Sequence, residues 1–94
     1  MEKYEIKHLV EENRFALYDG NKEIGELTYK ENGNVWTLDH TLVDSAYGGQ
    51  GLAAKLMDFA IATVRERKLK VIPKCSYIRS KFEKNPEEYE DISL

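Results

Sequence analysis

The chain has 94 residues, 41% hydrophobic and 33% charged, with a net charge of −3 and one cysteine. This is the size and composition of one small soluble domain, expected to span residues 1–94, with apolar material for one core. It excludes a helical membrane span, an internal disulfide or a cysteine-based zinc site, and a general nucleic-acid binder, which would be net basic.

Met1 to Glu5 lacks the basic-then-apolar layout of a secretion signal, so the cytoplasm is the expected compartment. The charge is unevenly spread. Residues 1–54 hold ten acids and five bases, residues 55–84 nine bases and three acids, and residues 85–94 four acids and no base. The basic middle segment is where a polyanion would be welcome; the ordinary alternative is a solvated helix face with basic loops.

Tyr4 to Val10 alternates well enough for a half-buried strand, broken at Glu11-Glu12-Asn13. Arg14 to Tyr18 is a second strand, and Asp19-Gly20-Asn21 after it is a hairpin signal. Glu23 to Lys30 is a third strand, with Gly25 marking a bulge. Glu31 to Asn34 turns the chain. Val35 to Val43 is a fourth strand, rich in β-branched and aromatic residues, with Trp36, Leu38, His40 and Leu42 expected on one face.

From Gly49 the period changes to that of a helix. Leu52, Leu56, Phe59, Ala60 and Val64, flanked by Ala53, Met57 and Ile61, form an apolar stripe to about Lys68. Leu69 to Ile72 is a short fifth strand stopped by Pro73. Ser76 is placed to cap a helix over Tyr77–Lys84, and Asn85-Pro86 ends it before one more turn over Pro86 to Tyr89. The expected fold is α+β: a five-stranded, mainly antiparallel sheet, one long helix and a shorter C-terminal one. The helical crossover lets strands four and five lie parallel.

Three glycines, Gly48, Gly49 and Gly51, stand where the fourth strand hands over to the long helix. Without Cβ atoms the backbone there bends sharply and approaches a ligand closely. The helix that follows offers free N–H groups and a partial positive charge. Gln50, Leu52, Ala53 and Ala54 complete a seat whose backbone donors suit a pyrophosphate. No Lys-Ser/Thr pair closes it as in a P-loop, and the later glycine of a dinucleotide fingerprint is missing. The ordinary alternative is a plain strand-to-helix turn.

The loop resembles the pyrophosphate signature of the GNAT acetyltransferases, Gln/Arg-x-x-Gly-x-Gly/Ala. Gly51 and Ala53 fill its last two slots, while Gly48 stands where the family usually has Gln or Arg. Three further pieces in the same order are similar to the small GNAT-like proteins of about a hundred residues. They are His40-Thr41, Pro73-Lys74-Cys75-Ser76-Tyr77 and Asn85-Pro86-Glu87-Glu88-Tyr89, so the resemblance covers nearly the whole chain. It implies a shortened GNAT fold, acetyl-CoA as acetyl donor, no metal, and transfer to an amine, small molecule or protein, that the sequence does not identify. A module that binds or senses acyl-CoA with little turnover is the alternative.

The resemblance also implies roles for residues that otherwise read as structural. Leu42 and Val43 read as core; the GNAT pattern has the strand splay here, so that their backbone pairs with pantetheine amides as an added strand would. His40, expected on the apolar face, is either a hydrogen-bonded core residue or a base for the incoming ammonium. Cys75 is a small buried hydrophobe, an acetyl-accepting nucleophile, a proton donor to the departing thiolate, or pocket lining. Tyr77 and Lys81, with Arg79, lie on the second helix. There they either flank the cofactor and its phosphates or serve as core and solvated bases.

Overall fold

The computed structural model describes residues 3–94. Five strands form one sheet in the order β1-β2-β3-β4-β5. They are β1 (Tyr4–Leu9), β2 (Arg14–Asp19), β3 (Lys22–Asn32), β4 (Val35–Val43) and β5 (Lys70–Pro73). The first four are antiparallel neighbours, and β5 runs parallel to β4. The crossover between these two is helix α1 (Leu52–Glu66), and α2 (Ser76–Lys84) follows β5. Among the described residues no helix is long and apolar enough to cross a membrane.

Both helices lie on one face of the sheet. Leu56, Met57, Ala60, Ile61 and Val64 of α1 are buried with Phe15, Leu17, Leu27, Trp36 and Leu38 from the strands and Ile78 and Phe82 from α2. The rings of Tyr29 and Trp36 stack at 3.8 Å, and those of Phe82 and Tyr89 at 4.4 Å. Truncating a side chain such as Leu56 to Ala removes about 2–5 kcal/mol, through lost transfer energy and the cavity left behind. Arg65 on α1 binds the Asp91 carboxylate at 3.0 Å and the Glu88 carbonyl at 2.6 Å, tying the C-terminal turns beside the helix. Phe59 does not join the core stripe as its spacing suggests. It lies at the helix margin, 40% exposed, with its ring against that of Phe15 at 5.7 Å.

The opposite sheet face is polar and carries no helix among the described residues. Arg14 there holds the carboxylates of Glu12, Glu23 and Glu26. The bulge foretold by Gly25 is present: Leu17 pairs with Gly25 but Tyr18 pairs with Glu23. A Cβ on Gly25 would stand 2.9 Å from the Leu42 carbonyl oxygen, so glycine is needed there for close approach.

A second bulge corrects the reading of β4. Tyr29 pairs with Leu38 and Thr28 with His40, which leaves Asp39 without a partner. One extra residue reverses every later side chain. Trp36 and Leu38 therefore face the helices, whereas His40 and Leu42 face away. Their exposures are 52% and 56%, and neither is core. Thr41 and Val43 take the inward positions, opposite Leu27 and Gly25. Thr28 Oγ1 donates to Asp39 Oδ1 at 2.6 Å and Lys30 Nζ lies 3.4 Å from Asp39 Oδ2, so the bulged residue is held. Burial raises the Asp39 carboxyl, but Thr28 and Lys30 outweigh it and hold the group below its ordinary range.

Element ends shift slightly. β1 stops at Leu9, before a 3-10 turn over Val10–Glu12. Pro73 is the last residue of β5 rather than the residue after it. Cys75, not Ser76, is the N-cap of α2, and no side chain caps that helix.

Candidate active site

The β4·β5 ladder ends at Leu38 and Pro73. Beyond it the Leu38 carbonyl takes the N–H groups of both Lys74 and Cys75, at 3.0 and 2.9 Å. These bonds anchor the point where the strands part. From there His40 to Val43 stays paired with β3 on one side and, among the described residues, has no strand on the other. That unpaired edge can accept an extended, amide-bearing ligand as a further strand. Val43 is half-buried against the core and the Leu42 side chain points away from the helices; the Leu42 carbonyl and the Asp44 N–H turn toward β3, so it is Val43 between them whose backbone faces the free edge.

Cys75 sits at the fork. Its thiol donates to Thr41 Oγ1 at 3.5 Å. Burial pushes the thiol up. Hydrogen bonding from Thr41 and from the Ile78 and Tyr77 backbone at the start of α2 outweighs this, so its pKa lies below the ordinary value. The sequence marks Thr41 only as half of the His40-Thr41 piece and gives it no role of its own, because only the Asp39 bulge turns it inward. The strand pattern carries no unambiguous sign of that bulge. His40 is on the other face, with Nε2 3.7 Å from Glu26 Oε2. The structure thus puts Cys75 and His40 on opposite faces of the sheet, either side of the gap. A cavity of about 510 Å³ opens between Glu23–Glu26 and Leu42–Ser45, and Glu26 at its wall is the carboxylate that His40 faces.

The glycine loop closes the far end of the gap. Asp44 caps a 3-10 turn over Ser45–Tyr47 by accepting from the Ala46 N–H at 2.9 Å. Gly49 and Gly51 then take φ values of 78° and 71°, which only glycine adopts readily, and a Cβ at either would point into open space. Gly51 is the N-cap of α1, with no side-chain cap and no acid in the first turn. The helix therefore starts at Leu52, later than the change of period at Gly49 suggests. Its first backbone bond runs from the Lys55 N–H to the Gly51 carbonyl at 3.2 Å, leaving the N–H groups of Leu52, Ala53 and Ala54 ahead of the helical ladder. Gly48 is extended, and its N–H returns to the Ser45 carbonyl at 3.1 Å. The Gln50 side chain points away from these donors, toward Tyr4 and Tyr47.

On α2, Tyr77 is half-buried beside the core and Lys81 Nζ lies 5.5 Å over its ring. Burial, with Asp58 nearby, raises the Tyr77 phenol. Arg79 donates to the Lys74 carbonyl at 2.7 Å and so braces the turn that carries Cys75. Among the described residues no group of His, Cys, Asp or Glu is placed to hold a metal ion.

Residues 14–92 match the family described as GCN5-related N-acetyl-transferase. The solution structure of a GCN5-like protein from Staphylococcus aureus superposes with a TM-score of 0.75. It is 36% identical, over 100% of this chain and 91% of that one. PaiA N-acetyltransferase from Thermoplasma acidophilum, solved with coenzyme A, gives a TM-score of 0.60 at 16% identity. The match covers 77% of this chain and 48% of that one. A GNAT acetyltransferase from Elizabethkingia anophelis with acetyl-CoA bound gives 0.59 at 13% identity, over 85% of this chain and 59% of that one. This chain spans only about half the length of those two larger proteins, which share its fold. A parted pair of parallel strands, a glycine turn into an uncapped helix and a match over most of the sequence agree: the chain belongs to the GCN5-related N-acetyl-transferase family.

Proposed function

We propose that the protein is an acetyl-CoA-dependent N-acetyltransferase, acting as a single domain and passing the acetyl group directly to an amine. The observation that carries this reading is the unpaired edge of β4 between the Leu38·Pro73 ladder end and the uncapped start of α1. Pantetheine has amides to pair with the free backbone groups of Val43 alongside Leu42, and pyrophosphate suits the N–H groups from Gly49 to Ala54. Tyr77 flanks the thioester arm and Lys81 is within reach of the cofactor's phosphates.

In this reading the thioester lies in the gap, and the amine arrives from the helix-free face. The amine nitrogen attacks the thioester carbonyl, the C–N bond forms and the C–S bond breaks. His40, exposed on that face, takes the proton the ammonium must lose. A backbone N–H of β4 polarises the carbonyl. The departing CoA thiolate takes a proton from Cys75, which stands at the fork on the other face. The cavity between Glu23–Glu26 and Leu42–Ser45 receives the acceptor.

A CoA-sensing module with little turnover is the second reading, favoured by the helix-free face, where among the described residues no further element covers that cavity. The two differ in acceptor-dependent release of free CoA thiol. Calorimetry with CoA tests the shared part. Gly51→Val adds a branched side chain at a left-handed position where phosphate approaches. Affinity is expected to fall at least about tenfold while circular dichroism stays folded; unchanged affinity would remove the loop from the site.

A further inference from the structure

The glycine loop is tied to the far side of the sheet by two tyrosines. Tyr4 on β1 donates its hydroxyl to Gln50 Oε1 at 2.7 Å, across 46 residues of sequence. Gln50 Nε2 donates in turn to the Tyr47 carbonyl at 3.3 Å. Tyr47, just before the glycines, donates its hydroxyl to Asp19 Oδ2 at 2.8 Å, across 28 residues. The rings of Tyr4 and Tyr47 meet edge to face at 6.1 Å, and Lys22 Nζ lies 5.7 Å over the Tyr47 ring. The hairpin turn Asp19-Gly20-Asn21 and the edge strand β1 thus both reach the segment that precedes α1.

We infer that Tyr4, Tyr47 and Asp19 form a latch that positions the glycine loop to receive phosphate. The Gln50 side chain belongs to the latch and is not itself a phosphate ligand; only its backbone N–H is offered to the phosphate. The inference rests on the reading that this loop takes the CoA pyrophosphate. A segment with three glycines in four residues loses more conformational freedom on ordering than one of the same length built from other residues. If it orders only on binding, that cost is subtracted from affinity; if tertiary contacts order it beforehand, the cost is already met. The Gln50 side chain, drawn outward by Tyr4, keeps the inner side of the loop clear for backbone donors. None of the latch bonds is deeply buried, so each adds little to global stability. Their effect falls on the loop.

The test is calorimetric titration with CoA of the wild type, Tyr47→Phe, Asp19→Asn and the double variant, with Tyr18→Phe as a tyrosine control. Backbone amide relaxation of Gly48 to Gly51 is measured without ligand. Tyr47→Phe is expected to weaken CoA binding by about threefold to tenfold, the range that one hydrogen bond spans. The double variant is expected to bind no more weakly than Tyr47→Phe, because the hydroxyl from which residue 19 accepts is already gone. The loop amides gain mobility while thermal unfolding barely shifts and Tyr18→Phe binds normally. Wild-type affinity in folded Tyr47→Phe would overturn the latch. So would additive losses, or tighter binding by Asp19→Asn alone, which would mean that only its charge matters. If Gly51→Val loses affinity and the latch variants do not, the latch alone fails; if Gly51→Val also binds normally, the CoA site itself falls.

Discussion

Thr41 Oγ1 stands 3.5 Å from Cys75 Sγ, across the point where β4 and β5 part. This contact exists because Asp39 is bulged; a regular strand would turn Thr41 outward and bring His40 inward in its place. The hydroxyl can accept from the thiol or donate to the thiolate, so it favours ionisation at a group that burial opposes.

The first prediction follows from that pair. The thiolate is the form that alkylates, so the rate of Cys75 modification by iodoacetamide should rise with pH to a midpoint below that of an ordinary cysteine. Thr41→Val keeps the shape and removes the hydrogen bond, so it should move the midpoint up. Bound CoA should protect Cys75. A Thr41→Val profile that overlays the wild type would show that the helix start alone tunes the thiol.

The second prediction concerns charge. Residues 55–84 hold nine bases and three acids, and the start of α1 lacks acids. Part of the CoA affinity should therefore be screened by salt. Calorimetry at low and moderate ionic strength should show weakening, and 3′-dephospho-CoA should bind less well than CoA. No change in either would leave the basic segment as solvated surface.

The third prediction concerns stability. The His8 ring stacks on Phe15 at 4.2 Å, and its Nε2 shares a hydrogen bond with the Tyr29 hydroxyl at 2.7 Å. Burial lowers its pKa, nearby Arg67 adds to this and Glu31 opposes it. The unfolded chain then binds a proton at about pH 6.5, before the native one does. Stability should fall as pH drops from about 6.5 through the lower native value, and level off beneath it. Urea unfolding of His8→Gln at several pH values should show a flatter acid limb than the wild type. Identical slopes would place the acid sensitivity elsewhere.

The order of elements was legible because periodicity changes where the fold changes. β4 ends at Val43 as its β-branched run does, and the glycines announce the turn into α1. The facing of His40 and Leu42 was not legible. Strict alternation from Trp36 through Leu42 places all four on one face, and the partner that reveals the bulge, Thr28, lies on another strand. Thr41 was hidden for the same reason. Ser76 has a good capping side chain, yet the chain enters α2 one residue earlier, where Cys75 is extended with its N–H held by Leu38. The latch from Tyr4 and Asp19 to the loop is a tertiary contact, on which local sequence is silent.

The central claim, direct transfer from acetyl-CoA to an amine, is tested most directly by intact-protein mass spectrometry coupled to an assay of released CoA thiol. The protein is mixed with acetyl-CoA alone, then with spermidine, an arylamine or a lysine-containing peptide. The account predicts an unmodified protein mass without amine, and thiol release only when an accepted amine is present. Cys75→Ala should slow that release while CoA affinity stays unchanged. An acetyl group on Cys75 that forms without amine and leaves when amine is added would contradict direct transfer, and would make the thiol a nucleophile.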